Sequence, residues 1–185
     1  MIEEKTIHPF ITYLYTLAEN QKRGALADLR RGLSGAPGTV PAMFPHVARW
    51  VPENVRGTWT EKVYYLVAAL FAYYQSGGSS INRQRLNQGN MGSHCREAAR
   101  KSPQSESFET RFSALLKAHV EDLPTYLRQM IGLLKSVEVP INWNQLFQDL
   151  CHWNAESQSV QRQWANGYWV YQNPATEQDL EPVQQ

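Results

Sequence analysis

The stretch VYYLVAALFAYY, Val63 to Tyr74, constrains the fold more than any other part of the chain. Its twelve residues are apolar or aromatic throughout, so a helix formed there has no side to turn to water and must lie buried. A membrane span needs about twenty such residues, so this segment is a core helix and not a crossing. The rest of the chain has to wrap it. With 185 residues and 42% apolar content there is material for one sizeable core or two small ones, without help from metal or disulfide.

The wrapping segments read as helices, and no convincing alternating strand pattern occurs. Phe10 to Leu17 and Ala25 to Leu33 form two short amphipathic helices, after which Gly32, Gly35, Pro37, Gly38 and Pro41 break the pattern. Thr58 and Glu61 have capping-box spacing ahead of the apolar helix. A polar segment follows from Gln75 to Gly92 and reads as the most mobile part of the chain. The short helix of HCREAARKS, His94 to Ser102, comes next, then an apolar face of Phe108, Phe112, Leu115 and Leu116. Pro124 suits the first turn of a helix striped by Leu127, Met130, Ile131 and Leu134, and two more helices carry Trp143 to Trp153 and Val160 to Tyr168. Four of the six tryptophans fall between Trp143 and Trp169, which suggests a separate aromatic core for this half. The expectation is an all-α protein of about eight or nine helices in two packed bundles. Residues 1–90 form an N-terminal helical domain, 91–170 a C-terminal bundle and 171–185 a disordered acidic tail.

Charge is unevenly spread. The net charge is only +1, yet from Lys22 to Lys117 there are fourteen Lys or Arg against six Asp or Glu, a local excess of +8. Acidic residues close the chain at Glu177, Asp179 and Glu181, with nothing basic after Arg162. Such a body is an electrostatic footprint for a polyanion, and a solvated surface explains it as well. Cys95 and Cys151 lie far apart and no signal-peptide pattern opens the sequence, which is consistent with a reducing cytoplasm.

The search for catalytic constellations comes up nearly empty. His94-Cys95 and Cys151-His152 offer four zinc-type ligands, but adjacent helical residues point about 100° apart and no C-x-x-C or H-x-x-x-H spacing accompanies them. Walker, H-E-x-x-H and G-x-S-x-G motifs are missing. The pair Glu121-Asp122 precedes a helix start, where negative charge favours the dipole. His46 and His119 stand alone. No catalytic residue, metal site or cofactor is expected.

The basic residues remain. Arg96 and Arg100 project from one helix face with Lys101 at its edge, and Glu97 can pair with either Arg100 or Lys101. Arg30 and Arg31 close the second helix, Arg56 precedes the apolar helix, Arg83 and Arg85 lie in the polar segment, and Arg111 and Arg128 interrupt apolar helices. Arginine outnumbers lysine twelve to six, and its planar fork suits phosphate oxygens. For each residue taken singly, a local ion pair or solvent exposure is an adequate explanation.

The order and extent of several motifs carry a resemblance. FETRFSALLKAHVEDLPTYLRQMIGLLKSVEVPINWNQLFQDLCHW followed by VQRQWANGYW, with LADLRRGLSG and PENVRGTW upstream, is similar to the small subunit of the type I-E CRISPR surveillance complex Cascade, the CasB family, over roughly residues 10 to 170. The resemblance implies an all-helical fold and a role without catalysis. Two copies would bridge the backbone subunits around the CRISPR RNA to the large subunit, with a basic face on the displaced single-stranded non-target DNA. Guide pairing and strand displacement are nearly balanced, so sequence-independent phosphate contacts would tip the R-loop. The family's basic positions fall on Arg30, Arg31, Arg56, Arg96, Arg111 and Arg128, with Arg83, Arg85, Arg100 and Lys101 secondary. The tail after Trp169 has no counterpart in the pattern. A helical adaptor that binds only proteins is the alternative, and a metal-dependent nuclease lacks the ligand clusters it would need.

Overall fold

Burial of the apolar run organises the molecule. In the computed structural model, which describes residues 6–77, 88–102 and 105–170, that run lies inside α4 (Trp59–Tyr74). Eleven of the sixteen residues of α4 are buried, from Val63 to Ala72 and again at Tyr74. The other helices form around it: α1 (Pro9–Glu19), α2 (Arg23–Arg31), the single turn α3 (Phe44–Val47), α5 (Met91–Lys101), α6 (Ser105–Leu116), α7 (Leu123–Ser136), α8 (Trp143–Cys151) and α9 (Ser159–Trp169). The described residues thus hold nine α-helices, four short 3₁₀ turns between α2 and α4, and no strand.

Each helix has a local cause. Pro9 opens α1, where its missing N–H is not needed, and the His8 ring caps it, Nδ1 accepting from the Phe10 amide at 3.2 Å. Pro124 opens α7 in the same way. Asn142 caps α8 by accepting from the Gln145 amide at 3.0 Å. The box anticipated at Thr58 and Glu61 forms differently. The Glu61 carboxylate accepts from the Gly57 amide at 2.6 Å, one residue early, while the Thr58 hydroxyl turns back to donate to the Val55 carbonyl at 2.6 Å. Two successive turns compete for that hydroxyl, and the preceding carbonyl wins.

A full capping box occurs instead at α5. Asn90 accepts from the Ser93 amide at 3.1 Å and Ser93 Oγ accepts from the Asn90 amide at 3.0 Å. The helix therefore includes Met91 and Gly92, which read as loop from sequence. Gly92 sits directly against the Trp164 backbone, and a Cβ there would overlap the Trp164 carbonyl. Only glycine lets α5 and α9 approach so closely.

Around α4, α2 covers one side and α8 and α7 another, while α5 joins α6, α7 and α9. Side chains from both halves of the chain share one hydrophobic core. The Phe10, Tyr64 and Phe147 rings of α1, α4 and α8 meet with centroids 4.9–5.9 Å apart. Trp59 Nε1 donates to the Leu150 carbonyl at 2.7 Å, and at the opposite end of α4 the Tyr74 hydroxyl donates to the Val139 carbonyl at 2.9 Å. The aromatic core foreseen for the C-terminal half is not separate. Trp153 and Trp164 pack together at 5.0 Å, but Trp143 lies against Phe71 and Tyr74 of α4, because the apolar helix leaves aromatic surface that α8 must cover. No helix of the described residues is long and apolar enough to cross a membrane.

Candidate nucleic-acid interface

The cations on α5 come together as the helical spacing anticipates. Arg96, Arg100 and Lys101 line a shallow cleft of about 410 Å³ with Gln88, Gly89 and Glu97. Lys101 Nζ lies 3.1 Å from the Glu97 carboxylate, one turn back. The Arg96 guanidinium donates to the Val170 carbonyl, 3.4 Å away at the end of α9. The capping box and the α5–α9 contact fix the helix, so these side chains rise from a rigid support.

A second basic surface lies at the C-terminal end of α4. Arg23 and Arg30, seven residues apart on α2, line a cleft of about 780 Å³ with Leu26, Ala72, Gln75 and Gly77. Lys135 of α7 stands close by. Its Nζ donates to the Tyr73 carbonyl at 2.9 Å and to Ser76 Oγ at 2.7 Å, and it lies 5.0 Å from the Tyr73 ring centre. Burial lowers the Lys135 pKa, and repulsion from Arg30 lowers it further. Arg128, two turns before Lys135, donates to the Leu33 carbonyl at 3.3 Å and so ties α7 to the chain after α2. The sequence reading missed Arg23, Lys135 and Arg49. The heptad spacing of Arg23 and Arg30, and of Arg128 and Lys135, was the signal available for the first two. Arg49 offered no such signal; its guanidinium covers the Tyr13 and Trp50 rings at 5.0 and 5.6 Å.

Other candidates stand apart from these clefts. Arg31 pairs with Asp28 at 2.7 Å, and Arg56, beside the opposite end of α4, lies 3.8 Å from Glu53. Both are well exposed, and such surface pairs contribute about 0–1 kcal/mol, so a phosphate can displace the carboxylate. Arg111 is exposed on α6 and makes no ion pair among the described residues. Its neighbour Glu109 accepts instead from Trp169 Nε1 at 3.3 Å. Arg83 and Arg85 lie outside the described residues, as do most of the polar segment and the tail.

The histidines and cysteines are occupied otherwise. His94 is buried, and its Nε2 accepts from the Asn142 amide at 3.1 Å. His152 Nδ1 donates to the Gln148 carbonyl at 2.9 Å. Burial pushes the Cys95 thiol up and the Cys151 thiol up to about 11, which keeps both protonated and poorly reactive. The described residues contain no group of three or more potential metal ligands. His46 lies 3.4 Å from Asp28, and His119 is exposed.

Fold and surface together define an all-helical protein, among the described residues, with a pair of arginines in each of two shallow clefts, Arg96 and Arg100 on α5 and Arg23 and Arg30 on α2. The family model described as CRISPR-associated protein Cse2 matches residues 25–169. A curated Cse2 protein of Thermus thermophilus is 33% identical over 148 residues, 78% of each chain. The chain therefore belongs to the Cse2 family of CRISPR-associated proteins. Its fold is similar to that of M. ruber CasB, with a TM-score of 0.72 and 31% identity over 89% of this chain and 94% of the other. It is also similar to the crystal structure of a Cse2-family protein from Thermus thermophilus, at a TM-score of 0.69 and 31% identity over 88% of this chain and 96% of that one. A chain from a CRISPR RNA-guided surveillance complex matches at a TM-score of 0.69 and 26% identity, covering 86% of this chain and 88% of its own length.

Proposed function

We propose that this protein is the non-catalytic small subunit of a type I-E CRISPR surveillance complex in the cytoplasm. Two copies bridge the backbone and large subunits around the CRISPR RNA, and the arginine face holds the displaced non-target DNA strand. The observation that carries the reading is the near full-length match, in sequence and fold, to a chain of an RNA-guided surveillance complex. The α5 and α2 clefts support the contact with nucleic acid. Each offers two guanidinium groups at the surface of one helix, an arrangement that suits sequence-independent phosphate contacts. The polar segment 78–87, with Arg83 and Arg85, connects Gly77 of one cleft to Gln88 of the other.

The test is R-loop lifetime on a supercoiled target, comparing complexes assembled with wild-type protein and with the combined Arg30→Ala, Arg56→Ala, Arg96→Ala, Arg111→Ala variant. Normal assembly with a shortened R-loop lifetime is expected. Failure to assemble would instead make these arginines protein contacts, as in an adaptor that binds only proteins, and an unchanged lifetime would overturn this choice of face. Arg128 is left out of the combined variant, because its bond to the Leu33 carbonyl gives it a part in the fold itself.

A further inference from the structure

Among the described residues, the large apolar side chains left exposed are Phe44, Trp169 and Val170. Phe44 lies on α3 with its ring against Tyr65. The other two stand together at the end of α9, where Trp169 is 46% exposed although Trp143, Trp153 and Trp164 are buried. The Trp169 ring is nonetheless held in place. Its Nε1 donates to the Glu109 carboxylate of α6 at 3.3 Å, and it leans on Phe112 and Tyr168, with centroids 5.5 and 4.9 Å away. Those two rings are buried and stack on each other at 4.6 Å, with their planes 19° apart. The function above makes no use of this exposed and fixed aromatic side chain.

We propose that Trp169 is a stacking platform for one base of a single strand whose backbone runs beside it along α5. The inference deepens the nucleic-acid reading above and rests on it. Size favours this occupant. A tryptophan side chain of about 250 Å² that is 46% exposed leaves roughly 100 Å² open, far below the ~800 Å² that a stable protein interface takes from each partner, yet enough for one base to cover. Position favours it as well. The Arg96 guanidinium donates to the carbonyl of Val170, the next residue, so the surface around the ring is continuous with the α5 cleft. Glu109 repels phosphate from the α6 side, which leaves the α5 side for the backbone. Rigidity is the third point: Glu109, Phe112 and Tyr168 already fix the ring, so little side-chain freedom is lost when a base settles on it. Every base has a π-face, so the platform adds affinity without selecting a sequence, and this part of the affinity does not come from counterion release.

The test is binding of full-length protein to a labelled thirty-nucleotide oligothymidylate and to an abasic oligomer of the same length, which keeps the phosphates and lacks the bases. Trp169→Ala should weaken binding to oligothymidylate about 5–100-fold with an unchanged log-log salt slope, and should leave the abasic oligomer unaffected. Trp169→Phe should keep most of the affinity, since it keeps a flat ring. The difference in emission between wild-type protein and Trp169→Phe reports the Trp169 indole alone, and oligothymidylate should quench it where the abasic oligomer does not. An equal loss on both oligomers, or no loss on either, would overturn the platform while leaving phosphate binding in place. Intact oligothymidylate binding by Trp169→Ala together with failure to assemble into the surveillance complex would make Trp169 a protein contact instead. Wild-type protein that bound neither oligomer would overturn the nucleic-acid reading and the platform with it.

Discussion

His8 is a cap before it is a base. Its ring lies against Phe147 and Tyr64, with centroids 4.7 and 5.9 Å away, and burial lowers its pKa from the ordinary value near 6.5. Below that ordinary value the unfolded chain binds a proton that the folded chain still refuses. Stability from the neutral ring is therefore complete above about pH 6.5, declines as pH falls toward the folded value, and levels off beneath it. Thermal unfolding followed from pH 8 to 5 should show this loss, and His8→Asn should flatten it, since asparagine keeps the cap without titrating. At the arginines the expected signature is ionic. Arg111→Ala should weaken binding to any single-stranded sequence alike, and should lower the log-log salt slope by about 0.7 if one phosphate contact is lost. A loss confined to particular sequences would argue for base contacts instead.

Between elements, α5 approaches α9 closely, and two residues govern the contact. Gly92→Ala forces a methyl group into the Trp164 carbonyl, so the helices must part; a loss of about 1–3 kcal/mol is expected in urea unfolding, as for overpacked cores. Trp164 also donates from Nε1 to the buried Asp149 carboxylate of α8 at 2.6 Å, and Gln145 Nε2 donates to the same carboxylate at 2.6 Å. Trp164→Phe removes one donor from a group that water cannot reach, and should cost at least about 1.5–3 kcal/mol. Both substitutions disturb the support of Arg96, so each should also lower retention of single-stranded DNA, and Gly92→Ala the more so because it lies on α5 itself.

For the whole molecule, α4 makes the two halves depend on each other. Residues 1–90 and 91–170 are proposed as its units of organisation, meeting across a core that both supply. Phe71 touches Tyr15 on one side and Trp143 on the other, at 5.3 Å each. Phe71→Ala should therefore cost about 3–5 kcal/mol and shift tryptophan fluorescence and helical circular dichroism together; separated transitions would show that the halves unfold independently. Much of this architecture was legible beforehand. The run from Val63 to Tyr74 announced a buried helix, the stripes of Leu127, Met130, Ile131 and Leu134 announced an amphipathic one, and the four-residue spacing of Arg96 and Arg100 announced a shared face, because helical periodicity is a local property of the chain. The order of motifs from LADLRRGLSG to VQRQWANGYW carried the family resemblance as well. Partners distant in sequence were not legible. Nothing in the residues around Gly92 says that Trp164 lies against it, nothing near Trp143 says that it covers Phe71, and nothing near Arg30 says that Lys135 stands beside it. Thr58 and Glu61 carry the spacing of a capping box, yet the competing Val55 carbonyl took the hydroxyl. The sequence alone determined which segments are helical and where positive charge accumulates, since both follow from neighbours within a few residues. Only the tertiary structure decided which charges share a cleft and which helix ends meet, since burial and close packing are settled by residues that the chain brings together from afar.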